Sequence, residues 1–239
     1  MTKLYKAIFF DLDGTLRLTN PSPTEAFINL ARAYDIDITP VDEKRIKLWA
    51  HHYWGHEELV QQDMARLSPE DFWLHYSKLL LQTANATDQN EKRAREIRDW
   101  FGNEYQPEVS LAEGARETLL SLKEMGVIVG LVSNRSHPLH EHVQELGLGG
   151  VFDLVLSAGE VGYWKPDRRI FDHVLAQFSG LAAGDCVYVG DNYYADGHGA
   201  ERAGLVPVIF DPEGLYGKSS FLRIQEIPEL LSIVTAVAL

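Results

Sequence analysis

Short apolar runs alternate with helical patterns over most of this chain. The runs at 7–10, 127–132 and 186–189 are almost continuously apolar, which is typical of strands covered on both faces. Between them, apolar positions recur every three or four residues, and glycines such as Gly126 and Gly147 end the predicted helices. Strands that alternate with helices predict right-handed crossovers and a parallel sheet.

Residues 18–108 have a different sequence pattern. They contain no continuous β-branched run, and the spacing of their apolar residues predicts helices only. The expected fold is an α/β core of residues 1–17 and 109–239, a Rossmann-like parallel sheet with helices on both faces, plus an inserted all-helical domain of residues 18–108. We expect core strands at 7–10, 127–132, 152–156, 186–189 and 206–210, and core helices at 113–125, 138–146, 168–178, 195–203 and 226–237. In the insertion we expect helices at 23–34, 42–53, 57–67, 69–83 and 88–101.

Composition narrows the class of protein. The chain has 239 residues, of which 45% are hydrophobic and 24% charged, as in ordinary globular proteins. The formal net charge of -13 argues against a nucleic-acid-binding surface, which needs basic side chains. The single cysteine, Cys186, excludes an internal disulfide and lies in an apolar run that favours buried packing. No targeting segment and no apolar stretch of about 18 residues is evident, so we expect a cytoplasmic protein without membrane contact.

Polar residues follow the ends of the predicted strands. Side chains two residues apart on a strand point to the same face, so Asp11 and Asp13 are expected to be neighbours. Two like charges at such a short distance require a cation, a proton or a chemical reason. Ligands of open parallel sheets bind outside the carboxyl ends of the strands. The pattern therefore predicts an enzyme that acts on an anionic substrate with a divalent metal. The candidate residues at this edge are Asp11, Asp13, Ser133, Asn134, Lys165, Asp191 and Asp196.

With these motifs the sequence resembles the haloacid dehalogenase superfamily, and within it the phosphatases with a helical cap, of which the phosphoglycolate phosphatases are an example. The resemblance is carried by the segment from Asp11 to Thr15, by Ser133, by Lys165, and by Asp191 through Asp196. It covers the α/β core, whereas the insertion matches only in position and helical character. It implies a hydrolase of phosphoric monoesters that acts on a small phosphorylated metabolite.

The resemblance also implies a role for each candidate. Asp11 would be the nucleophile and Asp13 the general acid and then base. Lys165 would offset negative charge. Mg²⁺ would be held by Asp11, the backbone carbonyl of Asp13 and Asp191, because a hard cation prefers oxygen ligands. The expected substrate contacts are Thr15, Arg17, Ser133, Asn134 and Lys165.

Several alternatives stay open at this point. Asp196 is expected either to bind the metal through water or to orient Lys165, and Arg17 and Arg135 either to contact an anionic group or to face solvent. A dehalogenase would lack the acid at Asp13, but a phosphosugar mutase of the same fold, or a non-catalytic metal- or partner-binding scaffold, is an alternative function. The spacing of His52 and His56 fits a zinc site but is commoner in ordinary helices. The aromatic residues of the insertion are expected to form its core rather than a substrate box. The oligomeric state and the identity of the phosphate ester are not predicted.

Overall fold

The computed structural model of the protein describes residues 5–86 and 90–235. Within these residues the chain divides into two compact units, one made of the segments up to Leu18 and from Ser110 onward, the other of Thr19–Val109. The strands are β1 (Ala7–Phe10), β2 (Arg17–Asn20), β3 (Glu108–Leu111), β4 (Ile128–Ser133), β5 (Leu154–Ser157), β6 (Cys186–Gly190), β7 (Val206–Phe210) and β8 (Leu222–Ile224). The helices are α1 (Pro23–Ala33), α2 (Pro40–Trp54), α3 (Glu57–Arg66), α4 (Pro69–Thr83), α5 (Asn90–Asn103), α6 (Ala115–Glu124), α7 (His140–Glu145), α8 (Ala158–Val161), α9 (Arg168–Ala176), α10 (Gly199–Ala203) and α11 (Leu230–Thr235).

The larger unit is built on a six-stranded parallel sheet with the order β5-β4-β1-β6-β7-β8. Strand β1 is central, and its last residue, Phe10, lies beside Leu131 of β4 on one side and Val189 of β6 on the other. The carboxyl ends of these three strands therefore meet at one edge. The register alone brings the residues that follow β1, β4 and β6 into one neighbourhood.

All four residues of β1 are fully buried because helices cover both faces of the sheet. Ile8 and Phe10 pack into a cluster with α6 and α11, whereas Ala7 and Phe9 pack into a cluster with α9 and α10 on the opposite face. Each large apolar side chain buried in this way contributes roughly 1.5–3 kcal/mol. The continuous apolar runs of the sequence thus correspond to two-sided burial, and the predicted α/β fold class is confirmed.

Cys186 begins β6 and lies in the buried cluster on the α9 side of the sheet. Burial raises the pKa of its thiol to about 11, so the thiol stays protonated. Cys186 is therefore a packing residue. The sequence-based expectation of a buried, unreactive cysteine agrees with this placement.

The smaller unit contains α1 to α5. Serine or threonine caps three of these helices. The hydroxyls of Ser22, Thr39 and Ser68 accept hydrogen bonds from backbone N–H groups of the first turn. A proline follows each of these capping residues within the first turn. The core of this unit is apolar and includes Phe27 and Ile97. Strands β2 and β3 pair with each other where the chain leaves and re-enters the larger unit. The role of this insertion as a cap stays a prediction.

Some predicted elements differ from the structure. Strand β8 is absent from the prediction because it is three residues long and half-exposed, so it has no continuous apolar run. The helix expected at 195–203 begins as a π-helical turn, Tyr193–His198, before α10. The helix expected at 226–237 is a 3-10 turn, Ile227–Glu229, followed by α11. Residues 236 and 237 of this helix, and residues 88 and 89 of the helix expected at 88–101, lie outside the described residues. The short strands β2 and β3 and the helix α8 were also not predicted. Across residues 5–86 and 90–235, no helix has the length and apolarity that spanning a bilayer requires.

Candidate active site

Lys165 lies at the centre of the predicted strand-edge site. Its Nζ atom donates hydrogen bonds to Asp11 Oδ1 at 2.6 Å, to Asp196 Oδ1 at 2.7 Å and to the hydroxyl of Tyr188 at 2.8 Å. The residue is only 2% exposed. Burial by itself lowers the pKa of Lys165, but the carboxylates of Asp11 and Asp196 outweigh it and hold that pKa well above its ordinary value. Lys165 is therefore a buried cation satisfied by three oxygen atoms.

Asn134 holds the backbone of Lys165 in place. Its side-chain oxygen accepts a hydrogen bond from the Lys165 N–H at 2.7 Å, and its side-chain nitrogen donates to the Lys165 carbonyl at 2.8 Å. Asn134 follows directly after β4, so the end of this strand fixes the loop that carries the lysine. Because the side chain is engaged in this way, the predicted phosphoryl contact of Asn134 would have to use its backbone N–H.

Three carboxylates surround this cation. One oxygen atom each of Asp11, Asp191 and Asp196 can be chosen so that all lie within 4.8 Å of one another. Burial raises the pKa of Asp11 to about 7, with Asp196 adding to the rise and Lys165 opposing it. Burial, then Asp196 and Asp11, raise the pKa of Asp191 well above its ordinary range. When ionised, the three carboxylates outnumber the one ammonium group, and an oxygen-rich pocket of this kind fits a hard divalent cation such as Mg²⁺.

Glycines allow the carboxylates to approach the backbone. Gly14 has a φ of +81°, and a Cβ atom at this position would lie 2.7 Å from Asp191 Cγ. A Cβ atom on Gly190 would overlap the side chain of Asp196. Both positions therefore require glycine for space, and Gly14 requires it for backbone conformation as well.

Asp196 is held at both of its oxygen atoms. Oδ1 accepts from Lys165, and Oδ2 accepts from the N–H of Asn192 at 2.9 Å. The side chain of Asn192 in turn accepts from the N–H groups of Tyr194 and Ala195, each at 3.0 Å, and so caps the π-helical turn that carries Asp196. Asp196 contacts Lys165 directly and also belongs to the carboxylate group, so both of its predicted roles stay predictions.

Asp13 is turned toward two arginines. Arg135 binds it with two hydrogen bonds, from Nε to Oδ2 at 2.6 Å and from Nη2 to Oδ1 at 2.9 Å, and Arg17 Nη1 donates to Oδ1 at 3.1 Å. Arg17 reaches Asp13 because the chain turns tightly after β1, with the Arg17 N–H bonded to the carbonyl of Leu12 at 2.7 Å. Partial burial raises the pKa of Asp13, but Arg135 and then Arg17 outweigh it, so the pKa is lowered. In this arrangement Asp13 is ionised.

The two predicted hydroxyl residues are buried. Ser133 is the last residue of β4 and is 1% exposed. Thr15 is fully buried, and among the described residues its Oγ1 has no hydrogen-bond partner. Substrate contacts for both residues stay predictions.

Two residues of the site were not identified from the sequence. The first, Tyr188, accepts a hydrogen bond from Lys165 and donates one to the carbonyl of Val132 at 2.8 Å. Its position within the apolar run of β6 could have indicated a polar contact, since a buried tyrosine hydroxyl needs a partner. The second residue, Tyr216, binds the loop after β6. Tyr216 is distant in sequence from every motif, so no local pattern could have marked it.

The insertion does not add a second metal cluster among the described residues, where Asp11, Asp191 and Asp196 make up the one group of three or more suitable side chains. His52 and His56 lie with their ring centroids 3.9 Å apart, and a ring nitrogen of His56 is bonded to the carbonyl of His52. The aromatic residues of the insertion stack on one another, with Tyr53 and Phe72 buried, which agrees with a packing role.

Several known proteins are similar to this chain in sequence. A family model described as haloacid dehalogenase-like hydrolase matches residues 5–204. The ribulose-1,5-bisphosphate 5-phosphatase of Halopiger xanaduensis is 30% identical over 212 residues, which cover 86% of this chain and 84% of that protein. The N-acylneuraminate-9-phosphatase of Rattus norvegicus is 25% identical over an alignment of 252 positions that covers 96% of this chain and 94% of the relative.

Solved structures show the same fold. A hydrolase of the haloacid dehalogenase type from Bacillus subtilis, crystallised with magnesium, has a TM-score of 0.61 to this structure and 21% sequence identity, with 98% of this chain and 100% of that chain covered. At this level of identity the likeness shows the fold alone.

Proposed function

Because the chain belongs to the haloacid dehalogenase-like hydrolases, and because the two relatives described above are named as phosphatases, we propose that it is a Mg²⁺-dependent phosphatase that hydrolyses a small phosphorylated metabolite through an aspartyl-phosphate intermediate. The observation that carries the proposal is the group formed by the buried residues Lys165, Asp11 and Asp196 with the partly buried Asp191. It supplies a nucleophile, a fixed cation and an oxygen-lined metal site at one strand edge.

In the first step a carboxylate oxygen of Asp11 would attack phosphorus, so that a bond to Asp11 forms while the bond to the leaving alcohol oxygen breaks. Asp13 would donate the proton that the leaving oxygen needs. In the second step Asp13 would take a proton from water, and the resulting attack on phosphorus would release phosphate and restore the Asp11 carboxylate. Lys165, held by Asp196 and Tyr188, would keep the Asp11 carboxylate oriented and offset charge on the phosphoryl oxygens.

Mg²⁺, held by Asp11, Asp191 and the backbone carbonyl of Asp13, would neutralise the negative charge that the carboxylates and the phosphoryl group bring together. The excess of carboxylates over ammonium groups in this pocket supports the need for such a cation. Asp13 would have to leave its ion pair with Arg135 before it could carry a proton, and entry of an anionic ester beside Arg135 and Arg17 would weaken that pair by competing for the guanidinium groups.

The decisive test of the proposal is hydrolysis of 4-nitrophenyl phosphate and of a panel of phosphorylated metabolites, each with Mg²⁺ or with EDTA. We expect turnover with Mg²⁺ and its loss with EDTA. Asp11→Asn keeps the shape of the side chain but removes the nucleophilic carboxylate, and we expect it to lower kcat by at least about 10³-fold. Wild-type protein without Mg²⁺-dependent turnover on any ester, or Asp11→Asn within a few-fold of wild type, would show the proposal to be wrong.

A further inference from the structure

Tyr216 bridges the two ends of the loop that carries Asp191. Its hydroxyl donates a hydrogen bond to the Asp191 carbonyl at 3.0 Å and accepts one from the N–H of Tyr193 at 3.1 Å. Burial raises the pKa of the Tyr216 phenol far above its ordinary value, so the phenol stays neutral and keeps the proton that it donates. The Asp191 carbonyl directly follows β6, and the Tyr193 N–H begins the π-helical turn, so both groups lie where the regular bonds of the sheet have ended.

A separate set of contacts holds Tyr216 itself. Asp211, which follows β7 and is 4% exposed, accepts from the N–H of Leu215 at 2.7 Å and from the N–H of Tyr216 at 3.3 Å. Asp211 also accepts from Arg223 on β8, whose Nη1 donates to Asp211 Oδ2 at 3.0 Å. The ring of Tyr216 also lies 5.1 Å from that of Tyr193, measured between centroids. The phenol is thus fixed by residues at β7 and β8, whereas the Lys165 loop follows β5 at the other end of the strand order.

We propose that Tyr216 is a positioning residue for the metal site, which sets the affinity for the divalent cation by fixing the backbone of the Asp191 loop. The inference rests on the metal site of the proposed function and extends it to the segment 211–223, which contains none of the sequence motifs. The physical reason is that hydrogen bonds behind a ligand fix its position, and their loss typically weakens metal binding by about 10- to 100-fold. Without the hydroxyl, the Asp191 carbonyl and the Tyr193 N–H both lose a protein partner, and the loop gains freedom that binding must then remove.

The test compares two single-hydroxyl deletions in the same aromatic cluster. Tyr216→Phe removes the bridge, whereas Tyr193→Phe removes a hydroxyl whose contact is Ser220 Oγ at 3.0 Å. Binding of Mn²⁺, which takes the same oxygen ligands as Mg²⁺, is measured from the EPR signal of free Mn²⁺, with Mg²⁺ as competitor. We expect Tyr216→Phe to bind Mn²⁺ about tenfold more weakly than wild type and Tyr193→Phe to stay within about twofold.

Asp191→Asn serves as the positive control, since it must weaken binding if the ion occupies this site. Urea unfolding without metal confirms that both tyrosine variants are folded. The proposal is overturned if Tyr216→Phe binds as tightly as wild type, if both tyrosine variants weaken binding equally, or if wild type binds no Mn²⁺. The readout is metal binding rather than turnover. If the protein hydrolysed no ester, the proposed function would be wrong, but the binding measurement would still test this inference.

Discussion

The carboxylate of Asp13 is bound by Arg17 and Arg135, while that of Asp11, two positions earlier, is bound by Lys165. The same residue type has opposite pKa shifts at the two positions. Burial raises the pKa of Asp11 to about 7 although Lys165 opposes the rise, whereas the arginines outweigh burial and lower the pKa of Asp13. At the scale of single residues, the balance between burial and the cationic partner decides the protonation state of each carboxylate.

Replacement of Arg135 should shift the pH dependence of catalysis. In Arg135→Met the guanidinium that stabilises ionised Asp13 is lost, so the pKa of Asp13 rises. The limb of the kcat/KM profile that reports Asp13 should therefore move to higher pH. The measurement uses an alkyl phosphate ester, whose leaving group needs a proton. Arg168→Met, which removes an exposed arginine paired with Asp172, is the control and should leave the profile in place. An unchanged profile in Arg135→Met would show that Asp13 does not control either limb.

At the scale of elements, the turns that follow the central strands do more for the site than the strands themselves. The register of β1, β4 and β6 brings their ends together, but Gly14 and Gly190 then let the following carboxylates pack against the backbone. The π-helical turn at Tyr193–His198 likewise aims Asp196 at Lys165. The site is therefore built by irregular backbone on a regular sheet.

Alanine at Gly14 should damage the metal site more than its backbone strain accounts for. Gly14 and Gly126 have similar φ angles, +81° and +79°, but an added Cβ meets the Asp191 carboxylate at Gly14 and nothing within 4 Å at Gly126. Both alanine variants should lose about 1 kcal/mol or more of the free energy of unfolding, through strain at positive φ. Only Gly14→Ala should also weaken Mn²⁺ binding, by at least about tenfold, as measured by EPR. Equal binding by the two variants would mean that the contact with Asp191 is unimportant.

At the scale of the whole molecule, the buried carboxylates couple folding to pH. The pKa of Asp11 rises on folding from 3.8 to about 7, the reverse of the usual carboxylate shift, and that of Asp191 is raised as well. Between these pH values the folded chain holds a proton that the unfolded chain releases. Stability from this source is fully present below the unfolded pKa and is lost as the pH rises through the folded one.

Without a divalent cation, the free energy of unfolding should therefore fall between pH 5 and pH 7, with a slope of at most about 1.4 kcal/mol per pH unit for each such group. Saturating Mg²⁺ favours the ionised carboxylates of the folded protein and should flatten this decline. Urea unfolding at the two pH values, with and without Mg²⁺, measures both effects. Asp11→Asn should show a smaller decline than wild type, and a metal-free wild type that is more stable at pH 7 than at pH 5 would contradict the assignment.

Much of the architecture can be predicted from the sequence because it depends on local patterns. Continuous apolar runs specify two-sided burial, so β1, β6 and β7 were predicted almost to the residue. The predicted helix starts at Pro23 and Pro69 also match the structure, where each proline follows a capping serine. Strand β8 could not be predicted, since three residues at a sheet edge carry no period. The candidate residues were also predictable, because a parallel sheet gathers its strand ends at one edge.

The sequence by itself determined the fold class, the strand-edge position of the site and the residues available there. Only the tertiary structure decided which partner each of them has: Lys165 with Asp11, Asp196 and Tyr188, and Asp13 with Arg135. Tyr216, behind Asp191, was decided in the same way. The physical reason is that burial and period are properties of neighbouring residues, whereas hydrogen bonds and pKa shifts depend on distances of a few ångströms between residues far apart in the chain.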